Sequence, residues 1–358
     1  MQTELSGLRS EIDGIDSQML DLLSRRARCA QEVGEVKSRH GEAGFPYRPE
    51  REAQVLRRIA ELNSGPLPED AVRQVFREIM SGCLALEQPL KVAYLGPAGT
   101  FSESASRKHF GAAPALQPQV SIDEVFRAVE SEHAHYGVVP VENSSEGAVG
   151  CTLDLLLAHS LQVCGEVQLR IHHHLLSRAS ELGAARRLYS HAQSLAQCHE
   201  WLNAHLAHLP RVPVASNAEA ARMASEDAQS CAIAGEAAAA LYGLGKLAEN
   251  IEDNSRNSTR FLVIARHDAA PSGRDKTSLV CSAANQPGAV LGLLEPLARH
   301  GVDMSRLQSR PAPGGMWEYV FYIDLIGHRN DAPVAAALAE LNGRAGFLKV
   351  LGSYPVAG

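Results

Sequence analysis

The sequence predicts a chain in three parts: an all-helical N-terminal segment, a central α/β segment and a small ferredoxin-like α+β module. Three observations carry this. Up to about Leu86 the apolar residues recur three or four positions apart, the period of a helix. From Lys91 onward, short apolar strands end in glycine or small polar loops and lead into helices. After the polar, Gly- and Pro-containing stretch RHDAAPSGRDK, the signals strand, helix, strand, strand, helix, strand fit into the remaining chain, a βαββαβ pattern. At 358 residues the chain also exceeds what one ordinary core serves.

The first part reads as three helices. Leu5, Leu8, Ile12, Ile15, Met19, Leu22, Val33 and Val36 line one face of a single long helix, which Gly41 to Pro46 breaks. Pro49 can open the second helix from its first turn, since its missing N–H has no intrahelical partner there. NSGPLPED ends that helix, and Val72, Val75, Phe76, Ile79 and Leu84 mark the third. In the second part KVAYLGPAGTFSE, YGVVPVENSSEG and CAIAGEAAAALYG each read as strand, loop and helix.

Composition narrows the function classes. A net charge of -7 argues against a general nucleic-acid binder, whose domain would be basic, so small molecules are the expected partners. No stretch approaches a transmembrane span. The opening MQTELSGLRSEIDGIDSQML lacks the apolar core and cleavage site of a signal peptide, and seven scattered cysteines form no CxxC pair. Reduced thiols and a cytoplasmic location are expected, with no disulfide framework or zinc site.

Several residues carry candidate chemistry. Arg26 and Lys37, eleven positions apart, project from nearly one helix face and could clamp a dianion; equally, they and Arg9 are ordinary solvated charges. Arg9 lies about 25 Å from Arg26 along the axis, so it joins such a site only from an antiparallel partner chain. A long helix with an apolar stripe and little chain to wrap it favours a symmetric dimer. Cys83 and Glu87 share a face of the third helix.

In the α/β part, GPAGTFSE places Thr100 and Ser102 at a helix N-terminus, where free N–H groups favour an anion, although such a loop is often a plain βα turn. It is neither a Walker loop nor a GxGxxG fingerprint. PVENSSEG offers Asn143, Ser144 and Ser145 as uncharged donors, and NSRNSTRFLVI puts Thr259 and Arg260 at the mouth of a strand. The three loops can converge on a cleft for a small carboxylate-bearing molecule. In RIHHHLL, His172 and His174 would share a strand face, but no third metal ligand follows nearby.

These stretches also carry a resemblance. LRSEIDGID, LLSRRARCAQEVGEVK, YRPEREAQVL and FREIMSGCLALE, over residues 1–90, resemble the all-helical chorismate mutase module. GPAGTFSE, VVPVENSSEG, IHHHLL and NSTRF, over 91–268, resemble prephenate dehydratase, whose family fold has two α/β lobes around a cleft like a periplasmic solute-binding protein. NQPGAVLGLLEPLARHGVDMSRLQSRP, within 276–355, is similar to the amino-acid-sensing ACT domain that follows this dehydratase in its relatives.

The resemblance implies roles. Arg9 of one chain and Arg26 of the other would hold the carboxylates of chorismate, Lys37 and Glu87 its ether oxygen and Glu52 its ring hydroxyl. Arg48 and Cys83 complete that set. Glu87 stands where some relatives have glutamine, so it would have to be protonated, its pKa raised by burial, to donate a bond. Thr100, Ser102, Asn143, Ser144, Thr259 and Arg260 would bind prephenate, with Thr259 the catalytic hydroxyl and Glu146 a candidate proton source. Arg260 could equally be a structural pair beside its strand.

Gly288, Ala289, Val290 and Leu291, with Ser309, Arg310 and Pro311, would bind phenylalanine as a feedback inhibitor. Val290 replaces a leucine of the Gly-Ala-Leu motif and Gln308 replaces a glutamate. The expected function is a bifunctional enzyme, mutase plus dehydratase, without cofactor or metal and working as a homodimer or larger homo-oligomer. The rivals are an arogenate dehydratase and a non-catalytic amino-acid sensor, the latter leaving NSTRF and the helical segment unexplained.

Overall fold

The computed structural model describes residues 2–40, 47–283, 286–312 and 319–357. The chain forms two compact units, one built mainly from the residues up to Leu90 and the other from the remainder. The break expected at 41–46 lies outside the described residues.

In the first unit, α1 (Gln2–Arg39) is the single long helix that the apolar period predicts. The second helix, α2 (Pro49–Leu62), carries Pro49 in its first turn, and α3 (Glu69–Glu87) packs on both α1 and α2. Among the described residues nothing covers the stripe of α1: Leu5, Leu8, Ile12, Ile15 and Met19 are all exposed, Leu8 by 58%.

The second unit begins with a lobe built from β1 (Lys91–Leu95), α4 (Phe101–Phe110), β2 (Ala115–Gln119), α5 (Ile122–Glu130), β3 (Tyr136–Asn143), β4 (Gly147–Ala148), α6 (Gly150–Ala158) and β5 (Gln162–Arg170). The chain then crosses into a second lobe: β6 (His174–Ser177), β7 (Arg187–His191), α7 (Ala192–Gln197), α8 (His199–His205), β8 (Arg211–Val214), α9 (Asn217–Glu226), β9 (Ser230–Ala234), α10 (Glu236–Tyr242) and β10 (Gly245–Ala248). It returns as β11 (Ser258–Ala265), which inserts antiparallel between β3 and β5. The first sheet has the order β2-β1-β3-β11-β5 and the second β10-β6-β9-β7-β8, so two chain crossings join the lobes. Alternation fails on these strands because both faces of each sheet are covered: Ser230 to Ala234 are all buried, with Ile233 packing on one side and Ala232 on the other.

The last module follows the predicted order: β12 (Asp275–Ser282), α11 (Ala289–Arg299), β13 (Met304–Pro311), β14 (Tyr319–Ile326), α12 (Ala332–Arg344) and β15 (Phe347–Pro355), in an antiparallel sheet β13-β14-β12-β15. One sheet face packs Leu279, Ile323 and Leu325 under the two helices. The other face packs Val280, Tyr322, Leu351 and Tyr354 into the same apolar cluster as Val139, Leu153 and Ile264 of the first lobe.

Two expectations change here. The stretch 266–276 is not a free linker, because Asp275 is buried and accepts from the Ser272 hydroxyl at 2.6 Å and its amide at 2.9 Å. His172 and His174 do not share a strand face, since β5 ends at Arg170 and β6 starts at His174, leaving His172 in the crossing between lobes.

Where β15 runs over β5, a side chain at Gly352 would overlap the backbone of Val163. Gly352→Ala is therefore expected to destabilise the second unit by about 3 kcal/mol, the upper end of overpacking costs. Its urea midpoint should fall with the slope unchanged; an unmoved midpoint contradicts this contact.

Candidate functional site

The second unit brings together residues far apart in sequence. Thr259 and Asn143 are register partners on β11 and β3, and Asn143 Nδ2 donates to Thr259 Oγ1 at 2.9 Å. The same amide nitrogen donates to Asn257 Oδ1 at 3.0 Å. The other end of the amide, Oδ1, accepts from the backbone N–H groups of Ser145 and Glu146 at 2.9 and 3.2 Å, which fixes which way the amide faces. Because Thr259 accepts through its oxygen, its own hydrogen is left to donate elsewhere.

Asn257 organises the surroundings. It is 1% exposed, its Oδ1 also receives the Ser144 and Ser145 hydroxyls at 3.4 Å each, and its Nδ2 donates to Gln197 Oε1 at 3.1 Å. Gln197 closes α7 in the second lobe, so this bond spans the lobes. Gln197 Oε1 also receives His173 Nε2 at 2.9 Å, and its Nε2 donates to Glu146 Oε1 at 3.3 Å. Burial holds the His173 pKa below its ordinary value, and its Nδ1 is buried without a hydrogen-bond partner among the described residues. Glu252, also buried, ties the two crossings by accepting from the backbone N–H of His173 at 2.9 Å and pairing with His172 Nδ1 at 2.8 Å.

Asn143, Ser144, Ser145, Glu146 and Thr259 are thus gathered as expected, whereas Asn257, Gln197 and His173 were not singled out. Asn257 stands in the run NSRNST, and only its hydrogen bond from Asn143 distinguishes it from the polar residues around it. Thr100 is spent locally, donating to the carbonyl of Leu95 at 3.1 Å, and Ser102 is buried. Their neighbour Phe101 packs edge-on to His173 and fills the space above Gly235, where a Cβ would meet the ring at 2.8 Å. His174 Nδ1 accepts from the N–H of Asn250 at 3.2 Å.

Arg260 departs from the prephenate-binding expectation. Successive strand residues face opposite ways, so Arg260 leaves the Thr259 face and enters a buried network. Its guanidinium reaches Glu166 at 2.8 Å, Asp324 at 2.5 Å and the Tyr354 hydroxyl at 2.9 Å, while Lys276 reaches Glu166 at 2.8 Å. This is the structural alternative. The Ser309–Arg310 pair divides in the same manner: Ser309 is exposed, and Arg310 turns inward onto Asp154 at 2.9 Å. Gly288 has φ 79°, a left-handed conformation that suits glycine, and it precedes α11 with Val290 and Leu291 exposed beside it.

In the first unit, Lys37 Nζ donates to Glu87 Oε1 at 2.7 Å. A Cβ at Gly34 would stand 2.7 Å from Glu87 Cγ, so the Glu87 side chain keeps this position only because that residue has no side chain. Arg9 is exposed and Arg26 half-buried on the same straight helix, so one chain does not bring them together. Arg48 is largely exposed and Cys83 buried. Burial pushes Glu52 up to about 7 from 4.5, against Arg77, which lies 3.4 Å away.

A raised carboxyl pKa favours the fold while protonated, so this contribution is present below about 4.5 and is lost as pH rises through about 7. Stability of the first unit should fall across that window in the wild type and fall less in Glu52→Gln. Equal slopes of urea midpoint against pH would contradict the assignment. Gly34→Ala should push Glu87 off Lys37 and destabilise the first unit by about 1 kcal/mol, the low end of overpacking costs, while leaving helicity intact, as read by circular dichroism along a urea titration.

Family models match for chorismate mutase type II over residues 8–88, prephenate dehydratase over 92–269 and the ACT domain over 277–343. The bifunctional chorismate mutase/prephenate dehydratase of Stutzerimonas stutzeri is 54% identical over 99% of this chain and 98% of its own. That of Pseudomonas aeruginosa is 52% identical over 99% of both. The crystal structure of a prephenate dehydratase from Arthrobacter aurescens, in complex with L-Phe, superposes with a TM-score of 0.69 at 36% identity, covering 74% of this chain and 90% of that one. Identity at this level along essentially the whole length leaves one conclusion: the chain belongs to the bifunctional chorismate mutase/prephenate dehydratase family.

Proposed function

We propose that the chain rearranges chorismate to prephenate in its helical part, residues 1–90, and converts prephenate to phenylpyruvate between the lobes of residues 91–268, under control of phenylalanine at residues 276–355. The observation that carries the dehydratase reading is the Asn143–Thr259 bond, with its amide orientation fixed by two backbone N–H groups.

Prephenate loses its ring carboxylate as carbon dioxide, and the electron pair of that bond enters the ring as the C4 hydroxyl departs. Hydroxide is a poor leaving group, so a donor at that oxygen is the main requirement beyond a dry cleft. Thr259 fits as that donor because Asn143 occupies its oxygen and frees its hydrogen. The proton completing water comes from a group with a lower pKa than a hydroxyl, and Glu146 is held beside the set by Gln197. Carboxylate binding by Ser144 and by the backbone N–H groups at the start of α4 is part of this reading, with the Thr100 hydroxyl held on the Leu95 carbonyl and Ser102 buried behind that turn. Arg260 supports the strand from behind.

The mutase reaction is pericyclic and needs only a held conformer and stabilisation of negative charge on the ether oxygen. Lys37 supplies the contact to that oxygen, Glu87 holds its ammonium in place and joins as a second donor only as the neutral acid, and Arg26, Arg48, Glu52 and Cys83 line the rest. Arg9 comes from a second chain. The exposed stripe of α1 supports a homodimer, since covering it removes Leu5, Leu8, Ile12 and Ile15 from water. Phenylalanine as effector rests on the ACT match and on the ligand of the Arthrobacter relative. No step requires a cofactor, and the protein works in the cytoplasm.

Incubation with chorismate or prephenate should yield phenylpyruvate, while phenylalanine formed from arogenate at a greater rate would reassign the substrate. Thr259→Ala should lose at least about a hundredfold in dehydratase turnover, the scale of one positioned acid–base group, and keep its mutase turnover. Loss of both together would contradict two separate sites. Sedimentation should give a dimer, and Ile12→Glu should give a monomer that lacks mutase turnover but retains dehydratase turnover; a monomeric wild type would remove the partner-chain Arg9.

A further inference from the structure

The edge strand β13 has two unlike faces. Leu307, Ser309 and Pro311 are exposed, while Arg306, Gln308 and Arg310 are turned toward the first lobe and half-buried. Two of those inward residues meet carboxylates. Arg306 Nε lies 2.8 Å from Glu142 Oε2, and Arg310 Nη2 lies 3.0 and 2.9 Å from the two oxygens of Asp154. Space is reserved for the second contact, since a Cβ at Gly150 would stand 2.5 Å from Arg310 Nη1.

Glu142 and Asp154 bracket the loop that carries Asn143. Glu142 is the residue before it, and Asp154 sits on α6, which follows the loop and is tied back to β3 by Thr152 Oγ1 donating to the carbonyl of Pro140 at 2.6 Å. Strand alternation puts Asn143 on the Thr259 face and Glu142 on the opposite face, toward β13. While these two ion pairs hold, a shift of β13 along or away from this surface pulls on the peptide that positions Asn143.

We propose that Arg306 and Arg310 form a two-point clamp through which the outer face of β13 controls the dehydratase site: the arginines are positioning residues for Asn143, and an amino acid bound at Ser309 and Pro311 inhibits by shifting them. This rests on the phenylalanine reading above and deepens it. The two points differ in strength. Arg306 Nε and Nη2 are buried without hydrogen-bond partners among the described residues although Glu142 lies 2.8 Å away, so this end holds by charge rather than by a directed bond. Arg310 Nη2 hydrogen-bonds both oxygens of Asp154, so the Arg306 end is the one suited to release. The buried Arg260–Glu166–Asp324–Tyr354 network, by contrast, is bonded throughout and anchors β11 and β14 while the edge strand moves.

The test uses the full-length protein, with prephenate turnover measured across phenylalanine concentrations, phenylalanine binding measured by calorimetry, and mutase turnover as a control of folding. Asp154→Asn is expected to bind phenylalanine with the wild-type Kd but to need on the order of tenfold more for half-inhibition, within the usual range of allosteric coupling. Arg306→Gln should lower dehydratase kcat with KM little changed, and Arg306→Lys should recover part of it. Wild-type inhibition of Asp154→Asn overturns the proposal, as does an unchanged kcat in Arg306→Gln. Failure of the wild type to bind phenylalanine overturns the effector reading instead, and calorimetry shows this before any variant is compared.

Discussion

The second unit depends on the return of the chain as β11. After the excursion through the second lobe, this strand re-enters the first sheet between β3 and β5, and its antiparallel register sets residue 259 opposite residue 143. Everything chemical at the cleft follows from that one pairing. The loop after β3 is shaped by Asn143 bonding its own following amides, and the same side chain then has an N–H left for Thr259. Both crossings between lobes run beside this point, and Asn257, Gln197 and Glu252 tie them together by hydrogen bonds.

Strand alternation then divides the labour. Thr259 and Asn143 serve the cleft, and their immediate neighbours Arg260 and Glu142 serve the contact with the last module. A motif that reads as one unit in sequence, Thr-Arg-Phe, is thus three functions on a strand: a hydroxyl on one face, an ion pair on the other, and in Phe261 a core side chain. The register shift between Arg260 and Phe261 lies at this switch, where a bulge re-aims side chains.

Much of the fold was legible because it is written in local periods. The long α1, the proline start of α2 and the βαββαβ order need only spacing and turn chemistry, and each lies where the pattern places it. The pieces that were not legible depend on pairings distant in sequence. Nothing in HAQSLAQC marks Gln197 as the residue that reaches Asn257, since an amide on a short helix looks like any surface glutamine. Likewise the inward turn of Arg260 and Arg310 follows from strand faces whose two coverings, a cleft and another module, are visible only when the sheet is assembled. Gly34 was silent for the same reason: its importance is a missing atom opposite Glu87.

The shared apolar cluster has a consequence for how such a protein can change. Val280, Tyr322 and Leu351 of the last sheet pack with Val139 and Ile264 of the first lobe, and the strands touch closely enough that Gly352 tolerates no side chain. A sensor attached in this way is not a detachable cassette. Recombination that transplanted it to another enzyme would expose an oily face on both fragments, so inheritance should act on the lobe and the module packed against it as one indivisible piece.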